Sequence, residues 1–269
     1  MNSKMNFYQF QKMFPNNRAC LDYLVKKCEC GGSFKYVQNK VYACRRCKNK
    51  LYPTSGTIFH KPSTPMVKWF YAIYLFSASK HGVSAKELQR HLGVTYKTAW
   101  RIGYLIRSKM KQERTKLEGV VEVDETYFGG KHYRKYKFSK KTPILGMVQR
   151  GGQIRVKRIP AAQTHILLNN IKTNISKKAI LITDENKIYK KTPKLGYNHA
   201  FIKHGKRNYV RGNIYTNTIE GFWSIFKCGT RGTYRFISRK HLQKYLDEFA
   251  FRYNHRNDAF EVLLERLKP

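Results

Sequence analysis

One short apolar run constrains the fold of this chain more than any other feature. Ala179-Ile-Leu-Ile-Thr183 has no polar side chain before its last residue, and Asp184 follows it at once. A run of this length without alternation is typical of a parallel strand covered on both faces. Such a strand needs helices on both sides of its sheet, so the run predicts an α/β domain.

The segments on either side of this run predict the rest of the domain. Two helical patterns follow it, one from about Asn217 and one over residues 239–254. Three strand patterns and then one helical period precede it, at residues 120–128, 144–149, 154–159 and 165–175. The predicted order β-β-β-α-β-α-α suits a ribonuclease-H-like core.

Positive charge is the main feature of the composition. The 269 residues include 54 Lys and Arg against 16 Asp and Glu, a formal net charge of +38. A charge this large is typical of proteins that bind nucleic acid. With 41% hydrophobic and 14% aromatic residues, the chain has enough apolar surface for folded cores, which excludes a disordered basic tail.

The few carboxylates are placed unevenly. Between Thr126 and Arg239 the only acidic residues are Asp184, Glu185 and Glu220. A tight acidic group lies just upstream: Glu122, Asp124 and Glu125. Each carboxylate repels phosphate, so carboxylates on a surface that binds nucleic acid need a local reason. The simplest reason is a divalent metal site made of hard oxygen ligands.

Three of these carboxylates form the predicted catalytic site. Asp124 lies near the end of the first strand, Asp184 directly follows the apolar run, and Glu220 lies on the next helix. If the two strands are neighbours, both aspartates meet near the carboxyl ends of the strands. Three such carboxylates can hold two Mg²⁺ or Mn²⁺ ions about 4 Å apart and act on a phosphodiester.

Alternatives stay open for these and the neighbouring carboxylates. Asn217 and Glu220 fit a capping box, so Glu220 could instead satisfy the start of its helix. Glu122 should share a strand face with Asp124 and Glu125 should point the other way, and either could pair with a lysine.

Four cysteines predict a small metal-stapled module at residues 1–60. Cys28 and Cys30 are separated by thirteen residues from the pair Cys44 and Cys47, with a predicted hairpin between the pairs. Two Cys pairs on two turns indicate a zinc ribbon, although the first pair is one residue shorter than usual. Unliganded thiols are the alternative. The remaining Cys20 and Cys228 lie on apolar helical faces and are predicted to be core residues.

A helix-turn-helix is predicted at residues 61–115. Ser84-Ala-Lys-Glu87 has the form of a capping box, and Gly93-Val94 separates its helix from a second one that begins at Thr95. The second helix carries side chains suited to phosphates and base edges: Tyr96, Lys97, Arg101 and Arg107. An ordinary helical hairpin is the alternative interpretation.

Two basic stretches with interleaved aromatic residues flank the predicted acidic site, at residues 131–141 and 187–211. They are suited to neutralising phosphates and to stacking on unpaired bases, and solvated surface loops are the alternative. The candidate contacts are Lys131, Arg134, Lys135, Lys137, Lys190 and Lys191.

Longer motifs resemble those of a known family. The segments at residues 121–131, 216–224 and 241–256, with a shorter one at 54–60, are similar to bacterial insertion-sequence transposases related to the eukaryotic Merlin elements. The resemblance implies an ISXO2-like DDE transposase with a zinc ribbon, a helix-turn-helix and a ribonuclease-H-like catalytic domain at residues 116–269. By motif position, it implies the triad Asp124, Asp184 and Glu220, and relatives vary at the third acidic position, so Asn217 is a possible participant.

The expected function is therefore DNA transposition. Such an enzyme cuts at inverted repeats and joins the freed 3′ ends to target DNA, with double-stranded DNA as partner and a homo-oligomer expected on DNA. The alternatives are a DNA-binding regulator that has lost catalysis and a nuclease without strand transfer. The longest apolar run, residues 69–78, is about half the ~20 residues of a membrane helix, so we expect a cytoplasmic, nucleoid-associated protein.

Overall fold

The computed structural model describes residues 5–60, 63–129, 141–202 and 215–268. The chain forms two compact units. One contains Met1–Met110 together with His255–Pro269, and the other is Lys111–Asn254. Within the described ranges, every helix is too short or too polar to cross a membrane.

The elements are numbered along the chain. The helices are α1 (Phe7–Met13), α2 (Asn17–Leu24), α3 (Met66–Ala78), α4 (Ala85–Leu92), α5 (Tyr96–Ser108), α6 (Thr164–Asn174), α7 (Asn217–Gly229), α8 (Leu242–Asn254) and α9 (Ala259–Glu265). The strands are β1 (Phe34–Tyr36), β2 (Tyr42–Cys44), β3 (Lys50–Leu51), β4 (Val120–Phe128), β5 (Thr142–Gln149), β6 (Ile154–Arg158), β7 (Ile180–Thr183) and β8 (Asn198–Phe201).

The second unit is built on one five-stranded sheet with the order β6-β5-β4-β7-β8. Strands β4, β5 and β6 are antiparallel neighbours, whereas β7 runs parallel to both β4 and β8. An antiparallel meander extended by parallel strands is the strand order of a ribonuclease-H-like core, and the predicted fold class is confirmed. The edge strand β8 has no strong sequence pattern and is not among the predicted elements.

The apolar run that predicts a strand forms β7. Leu181 and Ile182 are buried, as expected for a strand covered on both faces. Ile180 is 39% exposed, so the prediction of complete burial is wrong at the first residue of the strand. The burial comes from helices on both sides of the sheet, because β4 and β7 contribute to a core with α6, and β5 and β6 to a core with α7 and α8.

Helix α7 lies unusually close to the sheet at Gly146. This glycine of β5 is paired with Asp124 of β4. A Cβ atom at Gly146 would lie 2.7 Å from the Ile219 side chain and still closer to the Trp223 ring. The absence of a side chain at this position therefore lets α7 bring Trp223 over the strand that carries Asp124.

The first unit contains the predicted helix-turn-helix. The capping box of Ser84 and Glu87 is present at the start of α4, and Gly93 ends that helix with a left-handed φ of 55°. Thr95 caps α5 through the backbone N–H of Thr98. Helix α3 starts at Met66, with Pro65 in the capping position and no side-chain capping bond.

Two side chains differ from their predicted environments. Arg107 lies on the buried face of α5 and donates from Nη2 to the Val83 carbonyl at 3.0 Å, so its predicted contact with DNA is wrong. Cys228 is exposed, because the buried face of α7 falls on the residues around it, Phe226 and Gly229 among them. Cys20 is buried in α2, as predicted.

Candidate active site

The register of the central strands brings the two predicted aspartates together. In the parallel pair, Val120 lies opposite Ile180 and Glu122 opposite Ile182. Continuing this register by two residues places Asp124 beside Asp184, where β7 has just ended. Asp184 therefore lies at the carboxyl end of β7, a usual position of sites in α/β domains, whereas Asp124 is the fifth of the nine residues of β4 and not near its end as predicted.

Asp124 is a half-buried carboxylate that helix α7 contacts directly. It accepts a hydrogen bond from the indole Nε1 of Trp223, 2.9 Å from its Oδ2. Burial raises the pKa of Asp124 to about 6, and the negative charges of Asp184 and Glu220 contribute to the rise. Asp184 and Glu220 are therefore both close enough to Asp124 to act on its charge, although the three residues come from different elements.

Glu220 lies in the first turn of α7 and is exposed. The alternative role in a capping box is not formed, because α7 has Thr216 as its N-cap and no side-chain capping bond. The Thr216 hydroxyl donates instead to Glu220 Oε1 at 3.1 Å. Asn217, the first residue of the helix, is exposed, and its participation remains a prediction.

Glu125 follows Asp124 on β4 and so points to the other face, as predicted, but among the described residues it does not pair with lysine. Its Oε2 accepts a short hydrogen bond from the hydroxyl of Tyr189. Burial raises the pKa of Glu125 to about 7, with a contribution from Asp184. Tyr189 lies in a short 3-10 helix, Lys187–Lys191, and is fully buried. Sequence reasoning missed this residue, and the only signal was an aromatic residue inside a basic run.

Glu122 is fully buried and also has no lysine partner among the described residues. It accepts hydrogen bonds from Arg150, which directly follows β5, and from two residues at the start of α7, Thr218 and Ile219. Glu122 therefore connects the strand of Asp124 to the helix of Glu220. No local pattern in the sequence indicates these partners, since they are 28 to 97 residues away.

The acidic residues fit a divalent cation by their chemistry. Carboxylate oxygens are hard ligands, and a cation among them would relieve the repulsion between Asp124, Asp184 and Glu220. In the ranges that the structure describes, only the four cysteines of the first unit form a group of three or more potential ligands close enough to hold an ion. The carboxylates thus interact through charge without forming a comparably tight group.

The four predicted zinc ligands come together from the turn before β1 and from the end of β2 with the turn after it. The Sγ atoms of Cys28 and Cys47 are 3.5 Å apart, as are those of Cys30 and Cys44, and all four lie within 4.8 Å of one another. Tetrahedral zinc with Zn–S bonds of about 2.3 Å requires sulfur atoms about 3.8 Å apart. A Cβ at Gly32 would lie 2.7 Å from Cys44 Sγ, so the turn leaves space only for the sulfur atoms. This geometry is that of a zinc ribbon.

The candidate DNA-binding residues of α5 share one exposed face. Tyr96 is 48% exposed, and Lys97 and Arg101 are also exposed. Trp100 lies on the same face, and its ring stacks on that of Tyr104 with centroids 5.2 Å apart. Sequence reasoning missed this aromatic stripe, which the i, i+4 spacing of residues 96, 100 and 104 would have indicated.

Of the predicted contacts in the basic stretches, Lys190 and Lys191 are exposed and lie between two buried residues, Tyr189 and Thr192. They follow Tyr189 directly in the 3-10 helix, so this part of the stretch is anchored rather than a free loop. The other four candidates lie outside the described residues: Lys131, Arg134, Lys135 and Lys137.

The second unit coincides with a known protein family. The family model described as the ISXO2-like transposase domain matches residues 116–254, which is more than half of the chain. This chain belongs to that family. The match spans β4 through α8 and therefore includes every element of the ISXO2-like transposase domain that carries a candidate catalytic carboxylate.

Individual relatives of this transposase-family chain are distant. It is 26% identical over 242 residues to an uncharacterized protein in transposable element ISH50 of Halobacterium salinarum, covering 82% of this chain and 80% of that protein. Two solved structures align with low scores. The HTLV-2 integrase catalytic core with magnesium has a TM-score of 0.29 at 10% identity, covering 52% of this chain and 87% of that one. The Mos1 strand transfer complex has a TM-score of 0.32 at 14% identity, and the alignment covers 69% of this chain and 74% of that one. The fold assignment rests on strand order and not on these scores.

Proposed function

We propose that this protein is a DDE-type transposase that cuts DNA at the inverted repeats of its insertion sequence and joins the 3′ ends to target DNA. Asp124, Asp184 and Glu220 are the catalytic residues of this proposal and hold two Mg²⁺ or Mn²⁺ ions. Zinc is the structural metal of the four-cysteine module.

The observation that carries the proposal is the strand register of a basic chain that places Asp184 beside Asp124, with Glu220 near enough to act on the same carboxylate. Burial and the charges of Asp184 and Glu220 raise the pKa of Asp124 to about 6, which means that the fold works against its ionised form. Carboxylates held together at such a cost are typical of functional sites rather than of structural ones. In a chain of net charge +38, salt bridges to Lys or Arg would otherwise be the easier arrangement.

The residues of the site have separate tasks in this proposal. Divalent cations bound by the carboxylates would supply Lewis-acid stabilisation to the phosphate oxygens of the cut strand. Asp124, whose Oδ2 is bound by the Trp223 indole, would be one ligand. Glu220, exposed on the first turn of α7 and near enough to raise the pKa of Asp124, would complete the ligand set.

DNA is the proposed partner on grounds of charge. The exposed Lys97 and Arg101 of α5 are suited to reading the element's ends, and Lys190 and Lys191, six and seven residues after Asp184, are suited to holding backbone phosphates near the site. Synapsis of two DNA ends requires at least two catalytic domains, so we propose a homo-oligomer on DNA.

A strand-cleavage and strand-transfer assay with Mg²⁺ and the element's own ends tests the proposal. The variants Asp124→Asn, Asp184→Asn and Glu220→Gln should each lose cleavage by several orders of magnitude and keep DNA binding, because they remove ligands without removing positive charge. Glu185→Gln is the matched control, since Glu185 adjoins Asp184 but is exposed.

The same assay separates the alternatives. An unaltered protein that binds the ends without cutting them would favour the DNA-binding regulator. Cleavage without joining would favour a nuclease. An active Glu220→Gln variant together with an inactive Asn217→Ala variant would move the third ligand to Asn217.

A further inference from the structure

Glu122 is a fully buried carboxylate that collects three hydrogen-bond donors from two other elements. Its Oε1 accepts from Arg150 Nε at 2.7 Å and from Thr218 Oγ1 at 2.9 Å, and its Oε2 accepts from the backbone N–H of Ile219 at 3.0 Å. An ionised carboxylate can accept all of these bonds at once, whereas a neutral amide cannot. We call this set of four residues the Glu122 cap.

Helix α7 has no cap of its own. Its N-cap residue, Thr216, accepts no bond from a backbone N–H of the first turn, so the free N–H groups there need acceptors from elsewhere. Ile219 is fully buried, and no water can satisfy its N–H. Glu122 provides the acceptor from strand β4, and its negative charge lies at the positive end of the helix dipole.

Arg150 extends the cap to the residue before the helix. It neutralises Glu122, and its Nη2 donates to the carbonyl of Tyr215 at 2.7 Å. Its guanidinium carbon also lies 3.6 Å from the centre of the Tyr215 ring. The start of α7 is thus held from two neighbouring strands, by Glu122 of β4 and by Arg150 at the end of β5.

We propose that Glu122 and Arg150 are positioning residues that set the place of Glu220 relative to Asp124. This inference rests on the proposed function. Glu220 immediately follows Ile219, whose N–H is bound by Glu122. Glu122 and Asp124 lie two residues apart on one strand, so one strand both anchors the helix and carries the first metal ligand.

The placement of helix α7 explains the buried Glu122–Arg150 ion pair better than a contribution to folding stability does. A buried salt bridge contributes little net stability compared with apolar residues of the same shape, because both charges lose their hydration. Its directional bonds, however, allow only one axial position and one rotation of α7 against β4. Trp223 lies one turn after Glu220, and its hydrogen bond to Asp124 depends on the same placement of α7 against β4.

Glu122→Gln in the full-length protein tests the inference. We expect faster amide hydrogen exchange at residues 218–221 and an Mn²⁺ affinity, measured by calorimetry, that is weaker by about tenfold or more, as for other groups that orient metal ligands. DNA binding should not change, because Glu122 is fully buried. The Mn²⁺ dependence of cleavage should shift by the same factor.

Glu248→Gln is the matched control. Glu248 is also a fully buried carboxylate of the second unit, and it accepts hydrogen bonds from Arg252 and Tyr234. It lies on α8, and neither bond reaches a catalytic candidate or the start of α7, since Tyr234 belongs to the turn Thr230–Tyr234 that follows the end of α7. Its variant should lower the melting temperature and leave the Mn²⁺ affinity unchanged.

The double variant Glu122→Gln, Arg150→Met separates position from stability. Removing both charges should recover much of the lost melting temperature but not the Mn²⁺ affinity. Recovery of both quantities, or a Glu122→Gln variant that binds Mn²⁺ like the unaltered protein, would overturn the inference. The proposed function would fail if the unaltered protein bound Mn²⁺ no better than Asp124→Asn, and the positioning role would fail with it. Amide hydrogen exchange at Ile219 would in that case still show whether Glu122 binds the Ile219 N–H.

Discussion

At the scale of single residues, burial and neighbouring negative charges disfavour the ionised form of Asp124. Its pKa rises from an ordinary 3.8 to about 6. The protonated form is therefore favoured in the folded protein, and the stability that this form provides is complete below pH 3.8 and is lost as the pH rises through about 6. At neutral pH, without a cation, Asp124 destabilises the domain.

Asp124→Asn should consequently stabilise the metal-free protein. At pH 8 we expect a gain of up to about 3 kcal/mol, from roughly two pKa units at about 1.4 kcal/mol each, and this gain should disappear near pH 3.8. Thermal unfolding in a chelator across this pH range measures it, with Glu185→Gln as a control that should show no such gain. A variant less stable than the unaltered protein at pH 8 would contradict this account.

At the scale of elements, the edge strand β6 is covered by side-chain amides. Asn254 exchanges two hydrogen bonds with the backbone of Ile154, at 2.8 and 3.1 Å. Gln112 does the same with Val156, at 2.7 and 2.8 Å, and Gln243 accepts from the N–H of Arg158 at 2.8 Å. The amides occupy the outward groups of alternate residues, as a sixth strand would, and so protect the edge from pairing with another chain.

Opening this edge should cause self-association. In the double variant Gln112→Met, Asn254→Leu, both backbone groups of Ile154 and the N–H of Val156 lose their partners, at about 1–3 kcal/mol for each buried group. The Val156 carbonyl keeps the bond from Gln243 Nε2 at 3.0 Å. We expect a lower melting temperature and a rise in mass with concentration by light scattering. Gln163→Met adds similar apolar surface at an exposed position without opening the edge, and equal behaviour of both variants would refute the prediction.

At the scale of the whole molecule, the basic residues behind the net charge of +38 are found in both units. Exposed basic residues of α5 belong to the first unit, and Lys190 and Lys191 belong to the second, next to the candidate site. Phosphate contacts contribute affinity and salt dependence, whereas contacts to base edges contribute sequence preference. The two groups should therefore differ in binding experiments.

Alanine substitution should separate these groups. Lys190→Ala, Lys191→Ala should weaken binding equally on the element's ends and on unrelated DNA, and should flatten the slope of log K against log salt by about 0.9 per lost contact. Lys97→Ala or Arg101→Ala should instead reduce the preference for the ends. Lys177→Ala, Lys178→Ala is the control, because these exposed lysines precede β7, at the end opposite Asp184. A slope unchanged by the first pair would exclude phosphate contact there.

Zinc binding is a further prediction and concerns the first unit. The strands β1 to β3, which surround the four cysteines, are only two or three residues long. Elemental analysis of the purified protein should find one zinc per chain, and a chelator should unfold the module around β1 to β3 because little apolar core remains there. Cys44→Ser should lose the zinc. Cys228→Ser, at the exposed cysteine of α7, should retain it, and loss of zinc from that variant would argue against the four-cysteine site.

The sequence by itself determined those features that depend on neighbouring residues. The apolar run of β7, the capping box at Ser84 and the left-handed Gly93 are local signals, and they predicted elements that the structure contains. The two Cys pairs likewise predicted a four-sulfur cluster, because short turns fix the distance between paired cysteines. The order of these elements was sufficient to indicate a ribonuclease-H-like core.

Only the tertiary structure decided which partner each polar group has. Glu122 finds Arg150 and Ile219 at separations of 28 and 97 residues, and Asp124 finds Trp223 at 99. The side on which a helix is covered also depends on what packs there, which is why Arg107 is buried. Periodicity shows that a helix has an apolar face, but burial and hydrogen bonding depend on distant segments, whose approach no local pattern encodes.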